Sequence, residues 1–491
     1  MVGSSFIEVN QRIEEERRNK FCGTASIKIT SLRVPPQTTN PTKQSDTDSL
    51  KRIFKEEHGC RQEDIRHHVK ATISRSDLEK ALMNSGVLAT QLLDNALPYP
   101  KLELPLETRL ECLQGSDRIT AADEIFDGID KRWIVDLFLD DLSEDLKRLF
   151  TEEYEHQKTP TDGEFYCKIR GYQGCGGEKN PFFERIWLGR LSALSKNRRS
   201  LLDQLSRQKE YADEIDKLLV IPALFCGFRL TVMHHIHSMR CKEPNLHYLG
   251  HIFLVWSKIC NNDPQAMRLI DRPTVEKLQG KAPGAFQNDH DELIGELKSG
   301  HIFGNFPESQ KAELWSRVCA ASRDHLIPSL FTFFEDRKFL NSAADCIKRI
   351  AHVGPKNTVT SRLVRMFTDA GQESNQCIVQ VSDTAYAIIP GNPATRFDVG
   401  CRTLWLLGFR EFKELPPDTK KEVLAKARKK ADETTLFELA SLASKVGFES
   451  KEIREIMNTS PDRDVAKRAL LAARKLGRYR YPNFEHCIHR W

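Results

Sequence analysis

The clearest chemical signal in this 491-residue sequence lies at Leu113–Arg118. A strand-like run ends at Leu113 and Gln114, and Gly115 allows a tight turn. Ser116 and Asp117 stand where a helix begins, with Arg118 in its first turn. The first four backbone N–H groups of a helix have no partner inside it and lie at the positive end of its dipole, so they attract anions. An arginine there adds a planar fork of donors that matches phosphate. Gly115, Ser116 and Arg118 are therefore the candidate phosphate-binding residues. The same spacing also suits an ordinary strand–helix turn whose Arg118 pairs with Asp123 or Glu124, because Gly-x-x-Arg fixes only two residues. Ala121 and Ala122 would let the helix lie close to a sheet.

Three further clusters invite a chemical reading. Cys226–His251 holds Cys226, His234, His235, His237, Cys241, His247 and His251. On a helix, His247 and His251 share a face, and with Cys241 and an upstream histidine they would make a four-ligand zinc set. Neither Cys-x-x-Cys nor His-Glu-x-x-His accompanies them, so packed helices with surface and buried histidines fit as well, and no metal is assigned. Next, Asp162, Glu164, Lys168 and Arg170 look like a catalytic group, but Glu164 and Lys168 are four apart, the spacing of a surface ion pair. The helix starting there, its glycine-rich stop at Gly174, Gly176 and Gly177, and the helix that follows could form a DNA-reading helix-turn-helix offering Arg185, Arg190, Lys196, Arg198 and Arg199. That connection exceeds the usual three or four residues, and plain helix packing is the other reading.

The third cluster is the basic end. From Arg410 to Trp491 there are 19 Lys and Arg against 13 Asp and Glu, although the whole chain carries only +5. Any nucleic-acid contact must therefore come from a local patch. Lys426, Arg428, Lys429 and Lys430 form a cluster of nuclear-import type. Arg463, Lys467 and Arg474 fall on one helix face, followed by Lys475. Arg478, Tyr479, Arg480 and Tyr481 alternate charge with aromatic rings, which suits phosphate contact plus base stacking. These eight are the candidate nucleic-acid contacts; a solvated basic helix face is the plainer account.

The elements that must hold these residues follow from periodicity. Ala25–Val34 and Trp133–Leu139 read as strands, as does Arg109–Leu113, and a helix is expected from about Ile119 to Phe126. Arg109–Leu113 and Trp133–Leu139 are expected to be neighbours in one sheet. Met1–Lys20 reads as a charged, solvated helix and Ser49–His58 as another helix. From Ser143 onward the period is helical. Thr161 and Glu164 form a capping box that starts a helix at Asp162. A long helical segment is expected over Phe182–Leu219, a hairpin over Cys377–Ile389, and short capped helices starting near Asp418, Thr434, Ser450 and Ser460. Thirteen scattered cysteines and the lack of an apolar leader point to a reducing, intracellular setting, and no apolar run approaches the roughly 20 residues needed to cross a bilayer. No Walker loop, kinase signature or Gly-x-Ser-x-Gly elbow is present.

The stretch LECLQGSDRITAADEI followed by WIVDLFLDDLSEDLKRLFTEEY resembles the core of a fungal family catalogued as domain of unknown function 3723. PTDGEFYCKIRGYQ, TVEKLQGKAPG, IPSLFTFFED, TLWLLGFRE and SPDRDVAKRALLAARK extend the resemblance in order over about residues 25–480. That core in turn is similar to the ParB-like fold of chromosome-partition proteins and sulfiredoxin, in which a Gly-x-x-Arg turn contacts nucleotide phosphates. The resemblance places Gly115 and Arg118 in that turn and implies that Gly115, Ser116 and Arg118 bind a nucleotide, with a nucleoside triphosphate as the cofactor. It departs at Asp117, where relatives often carry a basic residue or histidine, and at Ser116, which stands where sulfiredoxin has its reactive cysteine; sulfiredoxin activity is not carried over.

The expected architecture is an α+β ParB-like domain followed by a large, mainly helical region with one β-hairpin. The segments are a charged leader (1–23), the ParB-like domain (24–145), a helical body (146–375), a hairpin with a linker helix (376–416) and a basic helical end (417–491). The expected function is that of a nuclear, nucleic-acid-associated protein whose first domain binds, or once bound, a nucleotide phosphate, with DNA or RNA as partner. The alternatives are a nucleotide-using phosphotransferase or nuclease and a non-catalytic interaction scaffold.

Overall fold

The computed structural model describes residues 2–33, 62–94, 97–125, 131–154, 159–368, 376–382, 385–412 and 432–473. Its first elements are α1 (Val2–Lys20), β1 (Phe21–Lys28), β2 (Leu32–Arg33), β3 (Val69–Ile73), α2 (Arg75–Ser85), α3 (Ala89–Leu93), β4 (Leu110–Gln114), α4 (Ser116–Ile125), β5 (Arg132–Leu139) and α5 (Glu144–Tyr154). The five strands form one mixed sheet in the order β1-β5-β3-β4-β2. β5 runs antiparallel to β1 and parallel to β3, while β4 runs antiparallel to β3 and parallel to β2.

The sheet takes this form because β5 is apolar on both faces. Alternate strand residues point to opposite sides. Trp133, Val135 and Leu137 join Ala25, Ile27, Val69, Ala71 and Cys112 beneath Ile119, Ala121 and Ala122 of α4. Phe138 faces the other way, into a cluster with Ile13 of α1 and Leu146 and Phe150 of α5. A strand covered on both sides is expected to be almost continuously apolar. The covering of that second face corrects the reading of the leader as a solvated helix. Ile13 is 1% exposed, and Phe6 and Val9 pack on the same cluster.

The strands β4 and β5 are not neighbours. β3 lies between them and bonds to both. The ten-residue helix α4 accounts for this. At about 1.5 Å per residue it spans roughly 15 Å, enough to carry the chain past one strand to the next position, about 10 Å away. β3 has a sequence signal in its alternation of Val69, Ala71 and Ile73 with Lys70 and Thr72, but it is only five residues long. The helix after β4 also begins earlier than Ile119, at Ser116.

The remainder is mostly helical. The Thr161 capping box forms as expected: Glu164 N–H donates to Thr161 Oγ1 at 3.2 Å, and Thr161 N–H to Glu164 Oε2 at 2.6 Å. It opens α6 (Asp162–Tyr172), and α7 (Pro181–Leu194) follows. The segment expected as one long helix to Leu219 is broken into Pro181–Leu194, Lys196–Arg207 and Lys209–Lys217. The hairpin forms from β6 (Gln376–Gln380) and β7 (Tyr386–Pro390). Asp432 caps the helix Glu433–Lys445, two residues before Thr434, and Ser450 caps Lys451–Asn458. The expected helices at Ser49–His58 and after Asp418 lie outside the described residues.

Contacts group the chain into two compact units, one of residues 1–202, 215–228 and 253–329, the other of 203–214, 229–252 and 330–491. In the first, α5, α6 and α7 meet at a buried carboxylate. Glu152, 1% exposed, accepts from Trp187 Nε1 at 2.7 Å, from Lys168 Nζ at 3.3 Å and from the Tyr172 hydroxyl. Lys168 thus pairs with Glu152 rather than with Glu164. Nearby, Asp216 takes a two-pronged bond from Arg170 and another from the Tyr166 hydroxyl at 2.9 Å. In the second unit, Leu330–Lys348 packs against Pro393–Glu411, which also supports β6, and Phe367, Phe397 and Phe448 cluster beside them. Among the described residues no helix is long and apolar enough to cross a membrane.

The Glu152 junction makes a measurable prediction. Glu152→Ala would strand the Trp187 N–H and the Tyr172 hydroxyl and take the counter-charge from Lys168. The expected loss is about 2–3 kcal/mol, below that of a fully buried ion pair because Lys168 is partly exposed. Urea unfolding should show it as a lower midpoint at unchanged slope. A midpoint equal to wild type would refute the junction.

Candidate functional site

The turn between β4 and α4 has the form its residues suggest. Gly115 has φ +89°, a region that L side chains rarely adopt. A Cβ on it would lie 2.7 Å from Val69 Cγ2, so both conformation and space require glycine. The N–H groups of Arg118 and Ile119 donate to the Gly115 carbonyl at 3.0 and 3.2 Å, fixing the first turn of α4 on the glycine. Ile119, Ala121 and Ala122 then seat the helix on the sheet. Arg118 is 6% exposed, so its guanidinium stands within the wall of the domain. Asp123, one of the two carboxylates offered to Arg118 by sequence, takes Lys131 Nζ at 3.4 Å.

A second polar group at the same end of the sheet has no counterpart in the sequence reading. Asp136 is the charged residue in the interior of β5, whose other charge, Arg132, stands at its start. Its Oδ1 accepts from Thr24 Oγ1 of β1 at 2.8 Å and pairs with Nδ1 of His68 at 3.0 Å. His68 immediately precedes β3, and its side chain is 2% exposed. The Tyr99 ring stands edge-on to the imidazole at 5.2 Å. Burial, then the charges of Asp136 and Glu63, push the Tyr99 phenol above its ordinary value. The backbone before His68 is pinned by Trp133, whose indole N–H donates to the His67 carbonyl at 3.0 Å. His68 Nε2 is buried and has no hydrogen-bond partner among the described residues. The signal that could have found this group is the lone Asp136 in an apolar strand, which demands a donor from a neighbouring strand.

Gly115 ties the two features together. It packs on Val69, the residue after His68, and Gln114 stands opposite Lys70. The turn and the His68–Asp136 pair therefore lie toward one end of the sheet but on opposite faces, because α4 covers the face of Val135 and Leu137 and Asp136 points to the other.

The other sequence candidates are placed differently. Cys241 is fully buried, its thiol pushed up to about 12 by burial, whereas His247 is exposed on Lys242–Ile259. Cys241, His247 and His251 do not come together as ligands, and no group of three His, Cys, Asp or Glu suited to a metal exists among the described residues. Around α6 and α7, Arg185 and Arg190 lie over the rings of Phe6 and Trp187, and Arg198 pairs with Asp162 at 3.3 Å. Arg463 and Lys467 lie on the helix Pro461–Ala473, both half-buried. Arg474, Lys475, Arg478, Tyr479, Arg480, Tyr481 and the cluster at Lys426–Lys430 lie outside the described residues.

Comparison with known families gives two adjoining matches. Residues 20–156 match the N-terminal domain, and residues 162–490 the central domain, of a family described as protein of unknown function, DUF3723. No curated protein and no solved structure matches the chain.

The geometry of the turn is open to test. Gly115→Ala would force a side chain into a left-handed conformation and against Val69. The two effects together are expected to cost about 2–4 kcal/mol, read as a lower urea midpoint. Wild-type stability in that variant would show that the turn is built differently.

Proposed function

We propose that this chain, which belongs to the DUF3723 family of proteins of unknown function, binds a nucleotide phosphate through a ParB-like N-terminal domain and associates with nucleic acid through its basic end. The observation that carries the first part is the glycine-hinged turn from β4 into α4, which sets Arg118 in the first helical turn. A helix N-terminus with an adjacent guanidinium is a general anion site. At 6% exposure, Arg118 would meet a phosphate in a low-dielectric setting, where a charge-assisted hydrogen bond is stronger than in water.

The nucleic-acid part rests on charge. The stretch from Arg410 to Trp491 carries a net charge of about +6, so the rest of the chain is close to neutral. The cluster Lys426–Lys430 supports a nuclear location in the same way. A nucleotide-using enzyme on the same domain is the second reading, favoured by one observation: His68 and Asp136 form a largely enclosed pair within that domain.

Two measurements test these readings. Arg118→Ala should weaken binding of a nucleoside triphosphate about 10- to 150-fold by removing a charge-assisted hydrogen bond. Because Arg118 is buried, Asp117→Asn is the companion variant: removing an acid from the helix start should tighten binding by roughly fivefold, about 1 kcal/mol. Unchanged affinity in both would rule out the turn as the site. For nucleic acid, about four to six phosphate contacts from Arg463, Lys467, Arg474, Lys475, Arg478 and Arg480 should give a log affinity–log salt slope of roughly −4 to −5 on duplex DNA. Replacing Arg478 and Arg480 with alanine should flatten it by about two units, while Tyr479→Ala and Tyr481→Ala should weaken single-strand binding selectively. A chain ending before Arg410 that keeps the full affinity and slope would exclude the basic end.

A further inference from the structure

We propose that β7 is a self-association edge: two copies of this chain pair their β7 strands antiparallel about a two-fold axis at Ile388, joining the two hairpins into one four-stranded sheet.

The argument starts from the backbone. The hairpin has two strands, so one edge of β7 faces β6 and the other faces no strand among the described residues. The Val381 N–H donates to the Ala385 carbonyl at 3.0 Å, which sets the phase of the ladder. In an antiparallel pair the backbone groups of alternate residues point to the partner strand and the rest point away. Ala385, Ala387 and Ile389 therefore turn their N–H and C=O groups to β6, while Tyr386, Ile388 and Pro390 turn theirs outward. The side chains do not cover that edge. Ile388 is 66% exposed, and Tyr386 and Ile389 are each 39% exposed. Lys445 lies over the Tyr386 ring, 3.8 Å from its centre, a contact that covers the ring and leaves Ile388 exposed.

Edge strands are ordinarily guarded by charged side chains, a bulge or a covering element. Here β6 and β7 pair without a register shift. Between Gln376 and Thr395 the only charged residue is Asp383, in a chain that is 29% charged. Pro390, which has no N–H to offer, marks where outward pairing must end.

The same features say what the occupant is. An uncharged edge has no sign by which to select a foreign strand. It accepts a strand that is itself uncharged and β-branched, and β7 is such a strand. Two copies of it set no like charges opposite each other. Centred on Ile388, each Ile388 N–H meets the partner's Ile388 carbonyl, and each Tyr386 N–H meets the partner's Pro390 carbonyl. The N–H that Pro390 lacks then falls at the outer end of the ladder. Ile378 stands opposite Ile388 within the hairpin, so this register lines up both isoleucines and their copies in one row across the sheet. Cross-strand pairs of β-branched side chains stabilise a sheet in this way. A two-fold contact closes on itself, so the product is a dimer, and its small area makes the dimer weak.

Sedimentation of the full chain tests this. From roughly 1 to 200 µM the mass should rise from that of one chain toward that of two and no further. Ile388→Lys sets like charges directly opposite each other and should weaken the dimer at least about 100-fold, as should Ile388→Glu. An equimolar mixture of the two variants sets opposite charges together and should regain most of the association. Amide exchange of the wild type gives a second reading that needs no variant to fold: the Tyr386 and Ile388 amides should become protected as concentration rises. A wild type that stays a single chain throughout overturns the proposal. So does a dimer that survives Ile388→Lys, association that continues past two chains, or a mixture of folded variants that fails to pair. Tyr386 and Ile388 amides equally protected at every concentration would show the edge covered by the chain itself, and would overturn it too.

Discussion

A carboxylate in the middle of a buried strand must be answered by its neighbours, and in the N-terminal domain Asp136 is that carboxylate. β5 is an interior strand covered on both faces, and Asp136 keeps only 17% of its side chain in contact with solvent. The domain meets the need from both adjoining sides, with Thr24 from β1 and His68 from the entrance to β3. This fixes more than a charge. A one-residue slip of β1 or β3 against β5 would carry the two donors away from Asp136 and turn the apolar faces over at the same time. The polar contact and the hydrophobic pattern specify one register together, and the same contact fixes the orientation of the imidazole ring.

The helical part of the same unit uses the same device. Glu152 gathers donors from two other helices, and Asp216 gathers Arg170 and Tyr166. Each charge sits where helix packing alone would permit several arrangements and selects one. The consequence for function is that conspicuous cations on α6 and α7 have structural work: Lys168 serves Glu152, Arg190 covers Trp187 and Arg185 covers Phe6. A helix-turn-helix that read nucleic acid with these residues would have to give those contacts up.

The β4–α4 turn shows how a site inherits its shape from packing. Gly115 is required by its left-handed conformation and by Val69 behind it. Ala121 and Ala122 are required because α4 lies flat on the sheet. Both demands are structural, and together they set where α4 starts over one face of the sheet. Binding and folding thus draw on the same residues, so a functional variant in this region is informative only beside a measure of its stability.

Much of this was legible along the chain. The glycine and alanines of the turn, the Thr161 capping box, the hairpin and the strands β4 and β5 follow from local rules, because turn conformation, cap chemistry and side-chain alternation act over a few residues, whereas the strand expected over Ala25–Val34 ends at Lys28 and Leu32–Arg33 form the separate β2. β3 was not read from the sequence, although the equally short β4 was, and with it went the strand order, since nothing local says which strand lies between two others. The leader helix was read as solvated from its charge, although Phe6, Val9 and Ile13 lie at helical spacing; only the face of the sheet awaiting cover decided that they are buried. His68 and Asp136 are 68 positions apart, and each is unremarkable where it stands. Sequence determined that Asp136 needed a partner, since a charge in an apolar strand must have one. The tertiary structure decided that the partner is His68, because pairing depends on which chain segments the sheet brings within about 3 Å, and that is set by packing over the whole domain.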